Sequence, residues 1–391
     1  MKMDFLEQRT LAVIFDLDGT ILDTESLCSN VARQVVAGHG MTLNQDVLKA
    51  ASGKRPLEAW SDVVRLLDMK VSPQKLLEES EPLMAAQWAD AGMLPGAMRI
   101  LQHLHVHGIP FAVATSTPRA TFNAKLSKKS ELRDLLKIVV CGDEVENGKP
   151  HPDCFLKAAE LLGVAASACV VIEDAVSGAE SARRAGMRVV LVPSLSDRTG
   201  FPDPDPNCKE GVCQMLPSLM AFKPESLGLP PFDDQVHGVT PMDVPLRIKG
   251  KVVKGFGRGS KELGIPTANV DSDSLHTSLS EAVTGVYAGW VSIGASPDVY
   301  KTALSIGWNP HFGNTQKTCE PWILHNFDAP FYDQEIRLLI CGYVRPEDKF
   351  TCLQALIDRI LMDGEVSQKA LDDPKLKHYV GDEFLKPAAS E

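Results

Sequence analysis

Apolar residues in this chain first gather into short β-branched runs separated by amphipathic stretches. LAVIF, FAVAT, KIVVC, CVVIE and RVVLV recur between Leu11 and Pro193, a rhythm that predicts a parallel sheet wrapped by helices. Roughly ninety residues separate the first two runs; VARQVVAGHG and LEAWSDVVRLLDM within them have helical periodicity, and no comparable strand intervenes. That is too long for a crossover, so a helical cap over about residues 24–94 is expected within an α/β, Rossmann-like domain spanning 9–195. From 196 to 242 the texture thins into PDPDPN and KPESLGLPPFDD, which reads as a linker with at most one short helix, around Val212 to Ala221. Beyond it RIKGKVVKG, TGVYAGWVSI, KTALSIG, PWILHNF and EIRLLICGYV alternate between Gly and Asn turns. These predict an antiparallel β-barrel over 243–385, with a terminal helix in FTCLQALIDRILMDGEVSQKALDD.

The length of 391 residues suits two or three such units. A formal charge of −11 excludes a broad nucleic-acid surface, because counterion release needs clustered Lys and Arg. No run approaches a membrane span, and MKMDFLEQRT leads into the first strand without an apolar core of signal-peptide length, so a cytoplasmic location is expected. The nine cysteines lack CxxC or zinc-finger spacing and read as free thiols, mostly small core residues. The sequence carries no signal of oligomeric state.

Candidate chemistry appears first in Phe15-Asp16-Leu17-Asp18-Gly19-Thr20, at the carboxyl end of the first strand, where open α/β sheets place their sites. Two carboxylates so spaced suit a divided task, one attacking phosphorus while the other donates and then removes a proton. Alone, the pair could equally be a surface turn. Three further pieces follow at later strand ends: Thr115 and Ser116, Lys149 in GKPHPD, and Glu173-Asp174. Together they supply a nucleophile, carboxylates for a hard cation, and donors with a Lys to balance phosphoryl charge.

Over about residues 9–195 this pattern resembles the haloacid-dehalogenase superfamily of phosphohydrolases. The resemblance implies that Asp16 forms an aspartyl-phosphate and that Asp18 is the general acid and base. It implies that Thr115, Ser116 and Lys149 bind the phosphoryl group, and that Asp174, with Glu173, Asp16 and the Asp18 carbonyl, holds Mg2+. GKRPLEAW, from Gly53 to Trp60, lies in the cap, either touching the leaving group or simply turning into a helix.

In the second half GKVVKGFGRGSKELGIPTAN is dense in Gly, with Lys254, Arg258 and Lys261; Gly257, Gly259 and Lys261 are its candidate phosphate contacts. No GK[ST] ends the run and Pro266 prevents a following helix, so by spacing alone a solvated hairpin loop fits equally well. The strings GRGSKELGIPTAN, TGVYAG, SIGWNPHFGN, KTCEPWILHNFDAPFY and GYVRPEDKF resemble the eukaryotic riboflavin kinase family over about 243–385. That implies a barrel binding ATP under the Gly-rich loop and riboflavin on its other side. Thr267 and Asn269 would coordinate Mg2+, and Glu320 would take the proton from the ribityl 5′-hydroxyl. Asp333 stands where relatives usually have Gly, which suggests a left-handed turn position; Asn326 stands where plant-type relatives have Asp.

A phosphatase preceding a riboflavin kinase is similar to plant bifunctional enzymes that make and hydrolyse FMN. The fusion is what points to FMN, since the first domain's motifs handle only phosphate and metal. A phosphatase of another small phosphomonoester, a phosphomutase and a non-catalytic binding module are the rival readings of the first domain. The partners expected are therefore riboflavin, FMN and ATP/ADP, with no nucleic acid and no membrane.

Overall fold

The computed structural model describes residues 10–51, 56–193, 198, 200–254, 265–271, 279, 283–308 and 317–387. The chain divides into two compact units, Met1–Pro231 and Phe232–Glu391.

In the first unit the expected runs form β1 (Ala12–Phe15), β4 (Phe111–Ala114), β5 (Val139–Val140), β6 (Cys169–Glu173) and β7 (Arg188–Leu191). Between β1 and β4 a short antiparallel ribbon, β2 (Leu22–Asp23) with β3 (Gly92–Met93), brackets the helical cap. A further strand, β8 (Gly211–Met215), completes a parallel sheet in the order β5-β4-β1-β6-β7-β8. Every residue of β1, β6 and β7 is buried, which explains their unbroken apolar runs: both faces of a parallel sheet are covered. The chain order reverses about β1, so a crevice opens at the carboxyl ends of β1 and β6.

The cap consists of α1 (Thr24–Gly38), α2 (Gln45–Ala51), α3 (Pro56–Leu66) and α4 (Pro73–Gln87). Leu27, Val31, Val36, Trp60, Val63 and Leu76 give it a core of its own. Asp23 caps α1 by accepting the Ser26 amide at 3.0 Å, and Ser72 caps α4 from the Lys75 amide at 3.3 Å. On the sheet side α5 (Ala97–Val106), α6 (Arg119–Lys125), α7 (Ser130–Leu135), α8 (Asp153–Leu162) and α9 (Val176–Arg184) complete the layers.

The segment read as linker departs from expectation. Instead of a short helix from Val212, β8 pairs in parallel with β7 (Val189↔Val212), and helical turns appear later, as 3-10 turns at Leu219–Ala221 and Pro224–Leu227. Val212 and Cys213 bury against the edge that β7 would otherwise expose, and this tertiary pairing overrides a weak local pattern. The Thr10 hydroxyl donates to the Leu227 carbonyl at 2.7 Å, fastening the following residues to the same unit.

The second unit is a six-stranded antiparallel sheet of β9 (Thr240–Val253), β10 (Asn269–Val270), β11 (Gly285–Ile293), β12 (Val299–Trp308), β13 (Lys317–Ile323) and β14 (Glu335–Arg345). Its order, β10-β9-β14-β11-β12-β13, nearly closes into a barrel, because the Ala268 amide donates to the Pro321 carbonyl at 2.9 Å across the two edges. The expected terminal helix is α10 (Leu353–Ala370). Arg345 grips Asp363 of α10 at 2.7 and 2.9 Å, holding the helix to β14. Asp333 has φ +64°, the left-handed position expected of it.

Candidate active sites

Asp16 directly follows β1, and its amide extends the ladder to the Ile172 carbonyl at 2.9 Å. Glu173 ends the neighbouring β6, so adjacent strands deliver Asp16, Glu173 and Asp174 to one point of the crevice. Their carboxylate oxygens can all lie within 4.8 Å of one another. Gly19 has φ +82°, and a Cβ there would stand 2.1 Å from Asp174 Oδ2, so only glycine lets this turn close on the cluster.

Lys149 enters from the loop before α8, and its side chain is buried. Its Nζ donates to Asp16 Oδ1 at 2.5 Å and to Glu173 Oε1 at 2.9 Å, and it lies 4.7 Å from the Phe155 ring centroid. Burial works to discharge this ammonium, but Asp16 and Glu173 outweigh it and hold Lys149 above the usual lysine range. Burial also pushes the Asp16 carboxyl up, to about 7; Lys149 pulls the other way, while Glu173 and Asp18 add repulsion. Asp16, Glu173 and Asp174 thus gather carboxylate oxygens at the end of the two strands. That donor set fits a hard divalent cation such as Mg2+.

Asp18 faces a different set of partners. Lys125 Nζ donates to its Oδ1 at 2.5 Å, the Thr117 hydroxyl donates to its Oδ2 at 2.5 Å, and Thr115 Oγ1 stands 3.4 Å from Oδ2. Two carboxylates so close in sequence are therefore each fixed by a separate lysine. Thr115 also accepts the Thr117 amide at 3.1 Å, whereas Ser116 is exposed, its carbonyl packed beside Gly142. Sequence reasoning missed Lys125 and Thr117. The available signal was a lysine three residues after Phe122 and next to Leu126, both core residues, ahead of an exposed Lys128 and a half-buried Lys129.

In the cap, Pro56 opens α3 and Trp60 packs into the cap core, its indole donating to Ser80 Oγ at 3.3 Å. Trp60 is thus structural rather than a leaving-group contact; Gly53, Lys54 and Arg55 lie outside the described residues.

In the barrel, Glu320 lies on β13 opposite Ser305, between the buried Cys319 and Pro321. Burial raises its carboxyl above the ordinary glutamate range. The Ala268–Pro321 bond makes the backbone that carries Thr267 and Asn269 a neighbour of the strand that carries Glu320 at the barrel seam. Their oxygen donors suit a hard cation. Gly257, Gly259 and Lys261, and Arg258 with them, lie outside the described residues.

Comparison with known proteins follows this division. The model of the family "Haloacid dehalogenase-like hydrolase" matches residues 13–192, and that of "Riboflavin kinase" matches 242–371. The bifunctional riboflavin kinase/FMN phosphatase of Arabidopsis thaliana is 39% identical over 380 residues, covering 97% of this chain and 98% of that protein. The chain belongs to the family of bifunctional riboflavin kinases/FMN phosphatases. Members of this family combine what other proteins carry singly. A Homo sapiens riboflavin kinase is 43% identical over 148 residues, covering 38% of this chain and 95% of its own length. (DL)-glycerol-3-phosphatase 2 of Arabidopsis thaliana is 36% identical over 229 residues, covering 57% of this chain and 92% of its own length. Among the described residues, no helix is long and apolar enough to cross a membrane.

Proposed function

We propose that the first unit hydrolyses FMN to riboflavin and phosphate and that the second phosphorylates riboflavin from ATP, both in the cytoplasm. The observation carrying this reading is the alignment along nearly the whole chain with a protein named for both activities.

In the hydrolase, the Asp16 carboxylate attacks phosphorus and the ester C–O–P oxygen departs from it. Asp18 gives that ribityl oxygen its proton, releasing riboflavin and leaving an aspartyl-phosphate on Asp16. Water then attacks phosphorus as Asp18 removes its proton, the P–O bond to Asp16 breaks, and phosphate leaves with the Asp16 carboxylate restored. Lys149 and Thr115 balance and orient the phosphoryl oxygens. Asp16, Glu173 and Asp174, with the Asp18 carbonyl, would hold Mg2+, which when bound offsets the repulsion between carboxylates and phosphate.

In the kinase, Glu320 takes the proton of the ribityl 5′-hydroxyl as its oxygen attacks the terminal phosphorus of ATP, with ADP leaving. Thr267 and Asn269 would hold Mg2+, which when bound offsets phosphate charge, and Gly257, Gly259 and Lys261, outside the described residues, are the candidate phosphate contacts.

The test is to incubate the purified chain with FMN and Mg2+ without ATP, beside glycerol 3-phosphate and sugar phosphates, and separately with riboflavin, ATP and Mg2+. Release of riboflavin, with FMN the preferred ester, and formation of FMN in the second mixture are expected. A second reading of the first unit, hydrolysis of a different small phosphomonoester, is favoured by the likeness to a glycerol-3-phosphatase. Preference for glycerol 3-phosphate over FMN would establish it.

A further inference from the structure

Lys125 is a charged side chain in an unusual place. It is 3% exposed, lies within the sheet unit rather than the cap, and reaches two different structures at once. Its Nζ donates to Asp18 Oδ1 at 2.5 Å and to Thr117 Oγ1 at 3.0 Å, while the Trp88 ring centroid lies 4.6 Å away. Thr117 in turn donates to Asp18 Oδ2, so both oxygens of that carboxyl are held by one connected set.

Trp88 stands at the root of the cap, in a 3-10 turn (Trp88–Asp90) that follows α4 and leads into β3. The end of α6 and the residues after it grip that turn at successive positions. Lys128 pairs with Asp90 at 2.6 Å, and Lys129 donates to the Ala89 carbonyl at 2.8 Å. Of these contacts only Lys125 also touches the acid–base carboxylate. A buried ammonium against an indole face is a directional contact, so the ring helps to set where the nitrogen that Asp18 depends on stands.

We propose that Lys125 is a positioning residue for Asp18, fixing its carboxyl toward the leaving group and tying that orientation to the root of the cap through Trp88. This rests on the hydrolase reading of the first unit. Proton donation matters for an alkyl ester such as FMN, whose alkoxide leaves poorly, and little for 4-nitrophenyl phosphate, whose phenolate leaves unaided. A defect in placing Asp18 therefore separates the two substrates, whereas general damage to the site does not. The comparison belongs in kcat/KM, which reports the step that expels the leaving group.

Lys125→Met in the full chain should lower kcat/KM for FMN by about tenfold or more while 4-nitrophenyl phosphate changes by less than about threefold. Thr117→Val should show the same selectivity to a smaller degree. Trp88→Leu should follow, and the pair Lys125→Met with Trp88→Leu should lose no more than Lys125→Met alone. Equal losses on both esters, or undiminished FMN hydrolysis, would overturn the proposal. If Lys125→Met does not fold by thermal melting, Thr117→Val and Trp88→Leu decide in its place. A wild-type chain that ignores FMN but cleaves glycerol 3-phosphate corrects the substrate alone, and glycerol 3-phosphate then serves as the alkyl ester.

Discussion

Lys149 Nζ sits 2.5 Å from Asp16 Oδ1 and 2.9 Å from Glu173 Oε1, so a single buried ammonium ties the ends of two adjacent strands to one charge. Asp16 is half of an ion pair and a candidate cation ligand, and in the proposed mechanism it is also the attacking group. Replacing it affects those roles without touching the barrel's residues. Asp16→Asn should abolish FMN hydrolysis, because an amide cannot form the aspartyl-phosphate, and leave riboflavin phosphorylation near the wild-type rate. Net FMN yield in mixtures with ATP should rise. Chromatography of riboflavin and FMN over time checks all three, and loss of kinase activity in a folded variant would contradict the assignment.

Metal binding to the first unit should depend on pH. Asp16 is raised from an ordinary value of 3.8 to about 7, chiefly by burial, so the proton competes with the cation in the neutral range. A cation needs the ionised carboxylate, and apparent Mg2+ affinity should fall about tenfold from about pH 8 to about pH 6, with proton release on binding. A carboxyl raised on folding contributes stability below the unfolded value and loses it as pH rises through the folded one. The metal-free protein should accordingly lose this contribution between about pH 4 and about pH 7, and added Mg2+ should restore stability above that range. Calorimetric titration in buffers of different ionisation enthalpy and thermal melts with and without Mg2+ measure both.

A methyl group should suffice to disturb the cluster. A Cβ at Gly178 would fall 1.6 Å from Glu173 Oε1, while Glu173 Oε2 is already fixed by the Ala175 amide at 2.6 Å. Gly178→Ala should therefore push Glu173 off Lys149 and weaken Mg2+ binding in this unit by about 10- to 100-fold, an effect comparable to losing a group that orients a metal ligand. Helix propensity favours the alanine, so any fall in melting temperature reports the displaced carboxylate. Unchanged Mg2+ binding to the hydrolase site would place Glu173 outside the cation's reach.

Glu320→Gln should reduce FMN formation by about 100- to 10,000-fold, the usual range of a general base, while hydrolysis of FMN continues. Because burial raises Glu320, and a base must be ionised, the wild-type kinase kcat/KM should decline as pH falls, with an inflection above the ordinary glutamate value of 4.5. The variant should lack that inflection. A pH–rate profile of both proteins decides.

Much of this architecture was legible because its signals are local. The β-branched runs of β1, β6 and β7 are buried on both faces, and the carboxylates that end β1 and β6 lie within a residue or two of those runs. Asp333 could be read as a left-handed turn from residue type alone, and its φ of +64° agrees. What escaped was set by partners distant in sequence. β8 follows a Pro- and Asp-rich stretch and gains its identity from pairing with β7. Lys125 is 107 residues from Asp18, and in FNAKLSKKS nothing local distinguishes the buried lysine from Lys128 and Lys129 except its spacing from Phe122.

The seam of the barrel closes on a proline. Ala268 donates to Pro321, but Pro321 has no N–H to return, so at that point the edge of β13 accepts a hydrogen bond and offers none. Because Pro321 is buried and its carbonyl is taken by Ala268, the two strand edges meet beside Glu320 through a hydrogen bond in one direction only, and the seam there lacks the reciprocal pair that an antiparallel ladder supplies elsewhere.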